Sequence, residues 1–118
     1  MDAFIPNSLY PLETFIHLVK NRLERDHLYA IYSPQDSQQL ACGQPVYVGD
    51  LPDYDDEDNE HLPQAVKAMG YTFCYMREHF QDVIDLAVSQ HPGVSDEALV
   101  CCLNHYDEYD DFLDVSPA

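Results

Sequence analysis

The stretch Asp50–Glu60, DLPDYDDEDNE, carries seven acids in eleven residues and no base. A second run, Asp107–Asp114, adds five, so twelve of the 22 acidic residues fall in two short segments. Carboxylates at this density can ligate a hard cation, share protons in acid–base catalysis, or pair with lysine and arginine on another molecule. Each chemistry demands its own spacing.

Calcium is tested by the EF-hand frame. Asp53, Asp55 and Glu57 fall on positions 1, 3 and 5. Position 6 is then Asp58, where the sharp turn wants glycine, and position 12 is Gln64, where the bidentate ligand is glutamate. Both decisive positions fail, so the sequence predicts no dedicated metal site. Catalysis fares no better. Cys101 and His105 stand four apart on a predicted helix and share a face, as a thiolate–imidazole pair would. No third group orients them, and no oxyanion motif accompanies them. Asp110 and Asp111 are neighbours in a chain where acids are common, and the six histidines follow no metalloprotease spacing. The expectation is a non-enzyme with no cofactor.

The acid runs can also be read as solvated loops that keep a small protein soluble. Their clustering argues for more, because like charges within a Debye length of about 8 Å repel and dispersed charge would serve solubility equally. Tyrosines also sit inside both runs. Aromatic anchors ringed by complementary charge are how many protein interfaces are built. The candidate contact set is therefore Asp53, Tyr54, Asp55, Asp56, Glu57, Asp58 and Glu60 in the first run. In the second it is Asp107, Glu108, Tyr109, Asp110 and Asp111.

Composition limits the partner. The 118 residues carry 22 acids against five Lys and Arg, a formal charge of −17. Direct binding to nucleic acid or anionic membrane is disfavoured, since each phosphate contact normally needs a cation. A basic protein is the expected partner. Hydrophobic residues make up 46% of the chain, which is enough to fold without staples. Nothing at the N-terminus reads as a secretory signal, no apolar run reaches the ~20 residues of a membrane span, and Cys42, Cys74, Cys101 and Cys102 suit no simple disulfide framework. A cytoplasmic protein with reduced thiols, mostly small core residues, is expected.

The elements that must position these residues follow from periodicity. Leu12, Phe15, Ile16, Val19 and Leu23 predict an amphipathic helix over 11–25, with Lys20, Arg22 and Arg25 toward its C-terminal end. His27–Ser33, Pro45–Gly49 and Tyr71–Met76 read as strands, and SPQDSQQ as a polar loop. Pro63–Met69 reads as a short helix closed by Gly70. Phe80, Val83, Ile84, Ala87 and Val88 mark a helix stopped by HPG at 91–93. Ser95 caps a last helix whose apolar face is Leu99, Cys102, Leu103 and Tyr106. The sum is a single α+β domain, 1–118: a small, mainly antiparallel three-stranded sheet packed with three or four helices.

The order of HLYAIY, VYVGDLPDYDDEDNEHLPQAVKAMGY, FQDVIDLAVSQHP and SDEALVCCLNHYDEYDDFLDV resembles a family of small acidic bacterial immunity proteins of polymorphic toxin and contact-dependent growth inhibition systems. The likeness lies in the acidic loop after a strand, a QDVI helix followed by Q-x-P, and a last helix ending Y-x-x-x-D-x-F, over about residues 27–115. It implies a protein that binds a cognate toxin C-terminal domain, often a basic nuclease, and occludes the surface that would hold phosphates. The alternative expectation is a free-standing DNA-mimic inhibitor or regulatory adaptor of a nucleic-acid-binding protein.

Overall fold

Strand sequences rich in Val, Ile and Tyr alternate here with helical runs, and each needs an apolar surface to cover it. The computed structural model describes residues 4–34, 39–57 and 60–113. In chain order the elements are β1 (Ser8–Pro11), α1 (Leu12–Lys20), β2 (Ala30–Pro34), β3 (Pro45–Gly49), β4 (Asp53–Tyr54), β5 (Glu60–His61), α2 (Gln64–Met69), β6 (Tyr71–Met76), α3 (Arg77–Gln90) and α4 (Asp96–Tyr109). The fold is α+β. Among the described residues, four strands make one antiparallel sheet in the order β1-β3-β2-β6, and β4 and β5 form a separate two-stranded ribbon.

The sheet therefore has one strand more than the three that periodicity suggests. The added strand is β1, which pairs Ser8 with Val48 and Pro11 with Pro45. Four residues ending in proline carry little strand signal of their own, and β1 exists because β3 offers it a ladder. Gly49 closes β3 where any Cβ would lie 2.6 Å from both Asn7 Oδ1 and the Tyr47 ring, so the close approach of residues 7 and 49 requires glycine.

Side-chain alternation divides the core between the two faces of the sheet. Ile31, Val46, Val48 and Tyr75 point to the face covered by α1, α3 and α4, where Phe15, Phe80, Ile84, Leu99 and Leu103 are fully buried. Ala30, Tyr32 and Tyr47 point to the other face, under Val66 of α2. Central strand β2 is consequently buried on both sides. A bulge in the β2–β6 pairing opposes Ile31 to Tyr75 and Tyr32 to Phe73, leaving Cys74 as the extra residue. The bulge puts Tyr75 and Phe73 on opposite faces of an edge strand.

Helix α1 stops at Lys20, five residues before the predicted end. Arg22 adopts a left-handed φ of 58°, the Arg22 N–H donates to Val19 O at 3.0 Å, and the Leu23 N–H donates to Leu18 O at 3.0 Å. This is a Schellman turn, with Asn21 as the cap. It reverses the periodic expectation: Leu23 is 46% exposed, while Glu24 turns inward and is fully buried. Elsewhere the caps match the sequence. Gly70 ends α2 at φ 72°, and Ser95 Oγ accepts from the Ala98 N–H at 3.2 Å.

Tyr29 and Tyr75 are buried aromatics of the larger core. Burial pushes both phenols upward, helped by Glu24 at Tyr29 and by the charge of Asp107 at Tyr75. An unfolded chain sheds these protons near pH 10 and the folded chain keeps them. Their contribution is whole below about pH 10 and is lost as pH rises above it, by about 1.4 kcal/mol per pH unit for each tyrosine. Urea melts at about pH 9 and pH 11 should show this fall, and Tyr75→Phe should make it shallower.

Candidate functional site

The first acidic run is a hairpin built by local bonds. Its base is tied to the sheet by Tyr32 Oη, which donates to Asp50 O at 2.7 Å, and by the Asp50 N–H, which donates to Asn7 Oδ1 at 3.2 Å. Asp53 pairs with His61 and Tyr54 with Glu60 across β4 and β5. Asp55 is the organising residue. Its Oδ1 accepts the Glu57 N–H at 2.9 Å, and its Oδ2 lies 3.0 Å from His61 Nε2. Asp53 Oδ1 accepts the Tyr54 N–H at 3.0 Å. Asp53, Tyr54, Asp55, Asp56 and Glu57 are all exposed, Tyr54 at 59%. Asp58 and the side chain of Glu60 lie outside the described residues, as do most of the SPQDSQQ loop and Asp114. The hairpin geometry uses Asp53 and Asp55 as turn and cross-strand acceptors. Among the described residues, no group of three or more His, Cys, Asp or Glu is placed to hold a metal ion.

The second run closes α4. Asp107, Glu108, Tyr109, Asp110 and Asp111 are exposed, Tyr109 at 62%. Asp110 caps the helix in the left-handed region, φ 53°, with its N–H donating to Tyr106 O at 2.8 Å. The His105 ring packs on Tyr109 at 4.8 Å, so it is an aromatic neighbour of the acidic end. Tyr106, expected on the apolar face, is half-buried. It stacks on Tyr75 at 6.3 Å, meets Phe112 at 5.0 Å, and its hydroxyl lies 3.0 Å from His79 Nδ1. Partial desolvation and then the charges of Asp110 and Asp82 push its phenol upward.

Between this helix end and edge strand β6 runs a groove. Its aromatic section, about 410 Å³, is lined by Phe73, Tyr75, Met76, His79 and Tyr106 and by Asp107 and Asp110. It continues past Asp107 into hollows of about 120 and 440 Å³ beside Asn104. Asn104 holds that end closed by bonding both the N–H and the C=O of Leu40, at 2.8 and 2.9 Å. Cys74 lines the wall as a thiol that burial, and the charge of Asp107, push up to about 11, which leaves it a poor nucleophile. The aromatic wall is absent from the residues singled out by sequence. Phe73 and Tyr75 lie some thirty residues from Asp107, and only the packing of α4 against the sheet joins them. Their alternation on β6 marked them as strand residues and nothing more.

The cysteines divide differently from expectation. Cys102 is buried and Cys74 half-buried, whereas Cys42 and Cys101 are exposed. The three arginines are spent internally. Arg25 bridges Glu24 and Asp85, Arg22 approaches Asp85 at 3.6 Å, and Arg77 reaches Glu78 at 3.3 Å and His27 O at 2.7 Å. Among the described residues, no lysine or arginine forms an ion pair with Asp107, Glu108, Asp110 or Asp111. With a formal charge of −17, the fold should be salt-stabilised. Tm should rise between low salt and about 0.5 M NaCl as like charges are screened; a flat response would mean the acids are already compensated.

No helix among the described residues is long and apolar enough to cross a membrane. No curated protein and no solved structure matches the chain. Its match to a family covers residues 11–115, nearly the whole sequence, and the chain belongs to the DUF7716 family, a domain of unknown function.

Proposed function

We propose that the protein is a binding protein that neutralises a basic partner, acting as an immunity protein against a cognate toxin domain, most simply a nuclease. One observation supports the reading above the others. The carboxylates at the end of α4 have no internal cation and stand beside exposed or half-exposed aromatic rings. Uncompensated acids attract cationic protein surface, and a nuclease must carry such surface to hold phosphates. The resemblance to toxin-immunity proteins gives the same direction. The hairpin adds a second set of exposed acids and Tyr54. On this reading the protein acts in the cytoplasm, by occlusion, without catalysis or cofactor.

The test is reconstitution. The tagged chain is used to isolate its partner from a producing cell, and the bound chain is identified and purified. Expected is a basic domain whose nucleic-acid cleavage falls to background at an equimolar ratio. Binding should weaken steeply as salt rises from about 0.05 to 0.5 M. A partner without nucleic-acid activity, held equally at both salt concentrations, would overturn the reading. The same surface would suit a free-standing inhibitor or regulatory adaptor of a nucleic-acid-binding protein. A bound housekeeping enzyme in place of a toxin domain would select that alternative.

A further inference from the structure

We propose that the groove between β6 and the C-terminal half of α4 seats one arginine side chain of the partner. This rests on the partner being basic, and it assigns to the groove a specific job within that surface. Half-buried Phe73 and Tyr106 line the groove, with His79 beside Tyr106 and Tyr75 buried against the Tyr106 ring. A guanidinium is planar and weakly hydrated, and it stacks on aromatic faces better than an ammonium does. Asp107, in the last turn of α4, and Asp110, its left-handed cap, both line the same groove. They offer the paired acceptors that a guanidinium fork engages.

The groove is of the right size as well. Its aromatic section, about 410 Å³, lies near the lower end of the roughly 300–1,000 Å³ typical of small-ligand sites. Among the described residues, no lysine or arginine lines it. The long alkyl stem of arginine would lie along Phe73 and Met76, with the charged head between the two carboxylates. In the hairpin, Asp55 is engaged with His61 and the Glu57 N–H.

The test uses arginine methyl ester as the probe, titrated into the ¹⁵N-labelled protein at neutral pH. Expected are saturable amide shifts confined to residues 73–76 and 106–110, with a dissociation constant on the order of 1 mM. Citrulline methyl ester, which has nearly the same shape and α-amine without the guanidinium charge, should cause no such shifts. Lysine methyl ester should bind several-fold more weakly. The double change Asp107→Asn with Asp110→Asn should weaken arginine ester binding by roughly tenfold or more. Tyr106→Leu should weaken it too, with both carboxylates intact. Matched urea melts establish that each variant is folded, and asparagine is at home in the left-handed cap that Asp110 occupies. Shifts spread equally over the hairpin, shifts unchanged in the double variant, or lysine ester binding as well as arginine ester would each overturn the assignment. Its failure is separable from that of the wider reading. If removing hairpin charge still slows partner association while the ester ignores the groove, the basic partner stands and the groove assignment falls. If partner binding ignores charge altogether, both fall.

Discussion

Arg25→Met should lower the unfolding free energy by about 3 kcal/mol and Tm by roughly 10 °C or more. The reason is Glu24, a carboxylate buried completely where α1 ends. Arg25 Nε donates to Glu24 Oε1 at 2.6 Å, and the same guanidinium forks onto Asp85 at 2.8 and 3.0 Å and onto Val19 O at 3.0 Å. Tyr29 Oη and Gln81 Nε2 donate to the other Glu24 oxygen. Methionine keeps most of the stem's packing and removes the charge, so a buried carboxylate is left with two neutral donors. Breaking such a pair from one side costs far more than the pair contributes over an apolar replacement. Arg22→Ala is the control, since it removes a cation from Asp85 and leaves Glu24 paired. Arg22 meets Asp85 at 3.6 Å with both side chains substantially exposed, and its loss should cost less than about 1 kcal/mol. Chemical denaturation of the two variants checks the contrast. A loss below about 1 kcal/mol for Arg25→Met would mean that Tyr29 and Gln81 alone suffice for Glu24.

The second large effect concerns association. Changing Asp53, Asp55, Asp56 and Asp58 together to asparagine removes four charges and keeps side-chain size. Changing Asp107, Glu108, Asp110 and Asp111 to their amides does the same at the end of α4. Each set should slow partner association by roughly tenfold or more at low salt, and the deficit should shrink as salt is raised. The two sets should part company in dissociation. Asp107 and Asp110 of the α4 set line an aromatic groove, where a desolvated charge pair costs about 2–5 kcal/mol to break from one side. Its complexes should therefore also dissociate faster. Asp55 accepts the Glu57 N–H and faces His61, so the hairpin variant must be shown to keep its fold before its rates are read. Stopped-flow association across a salt series, with dissociation by competition, measures both. Unaltered kinetics in two folded variants would remove the acidic-surface mechanism.

Much of this protein is determined by the sequence alone, wherever the governing physics is local. The apolar stripes at Phe80–Ala87 and Leu99–Leu103 become the buried faces of α3 and α4, because a 3.6-residue period leaves a helix one way to hide them. Ser95 and Gly70 fix helix ends through bonds and backbone freedom within a few residues. The exposure of Asp53–Glu57 and Asp107–Asp111 follows from the cost of burying so many unpaired carboxylates. Tertiary structure decided what depends on distant partners. Strand β1 exists through its pairing with β3, some forty residues away. The Schellman turn at Arg22 put Leu23 in solvent and Glu24 in the core, against the helical period. That inversion is stable because Tyr29, Gln81 and Arg25 converge on the carboxylate. The groove at the edge of the sheet is of the same kind. Neither the Phe73–Tyr75 strand nor the acidic helix end forms a concave surface by itself. A bulge at Cys74 turns two aromatics to opposite faces, and the packing of α4 brings Asp107 and Asp110 to their rim. Charge was readable from composition; the shape into which that charge is set came only from contacts between residues far apart in the chain.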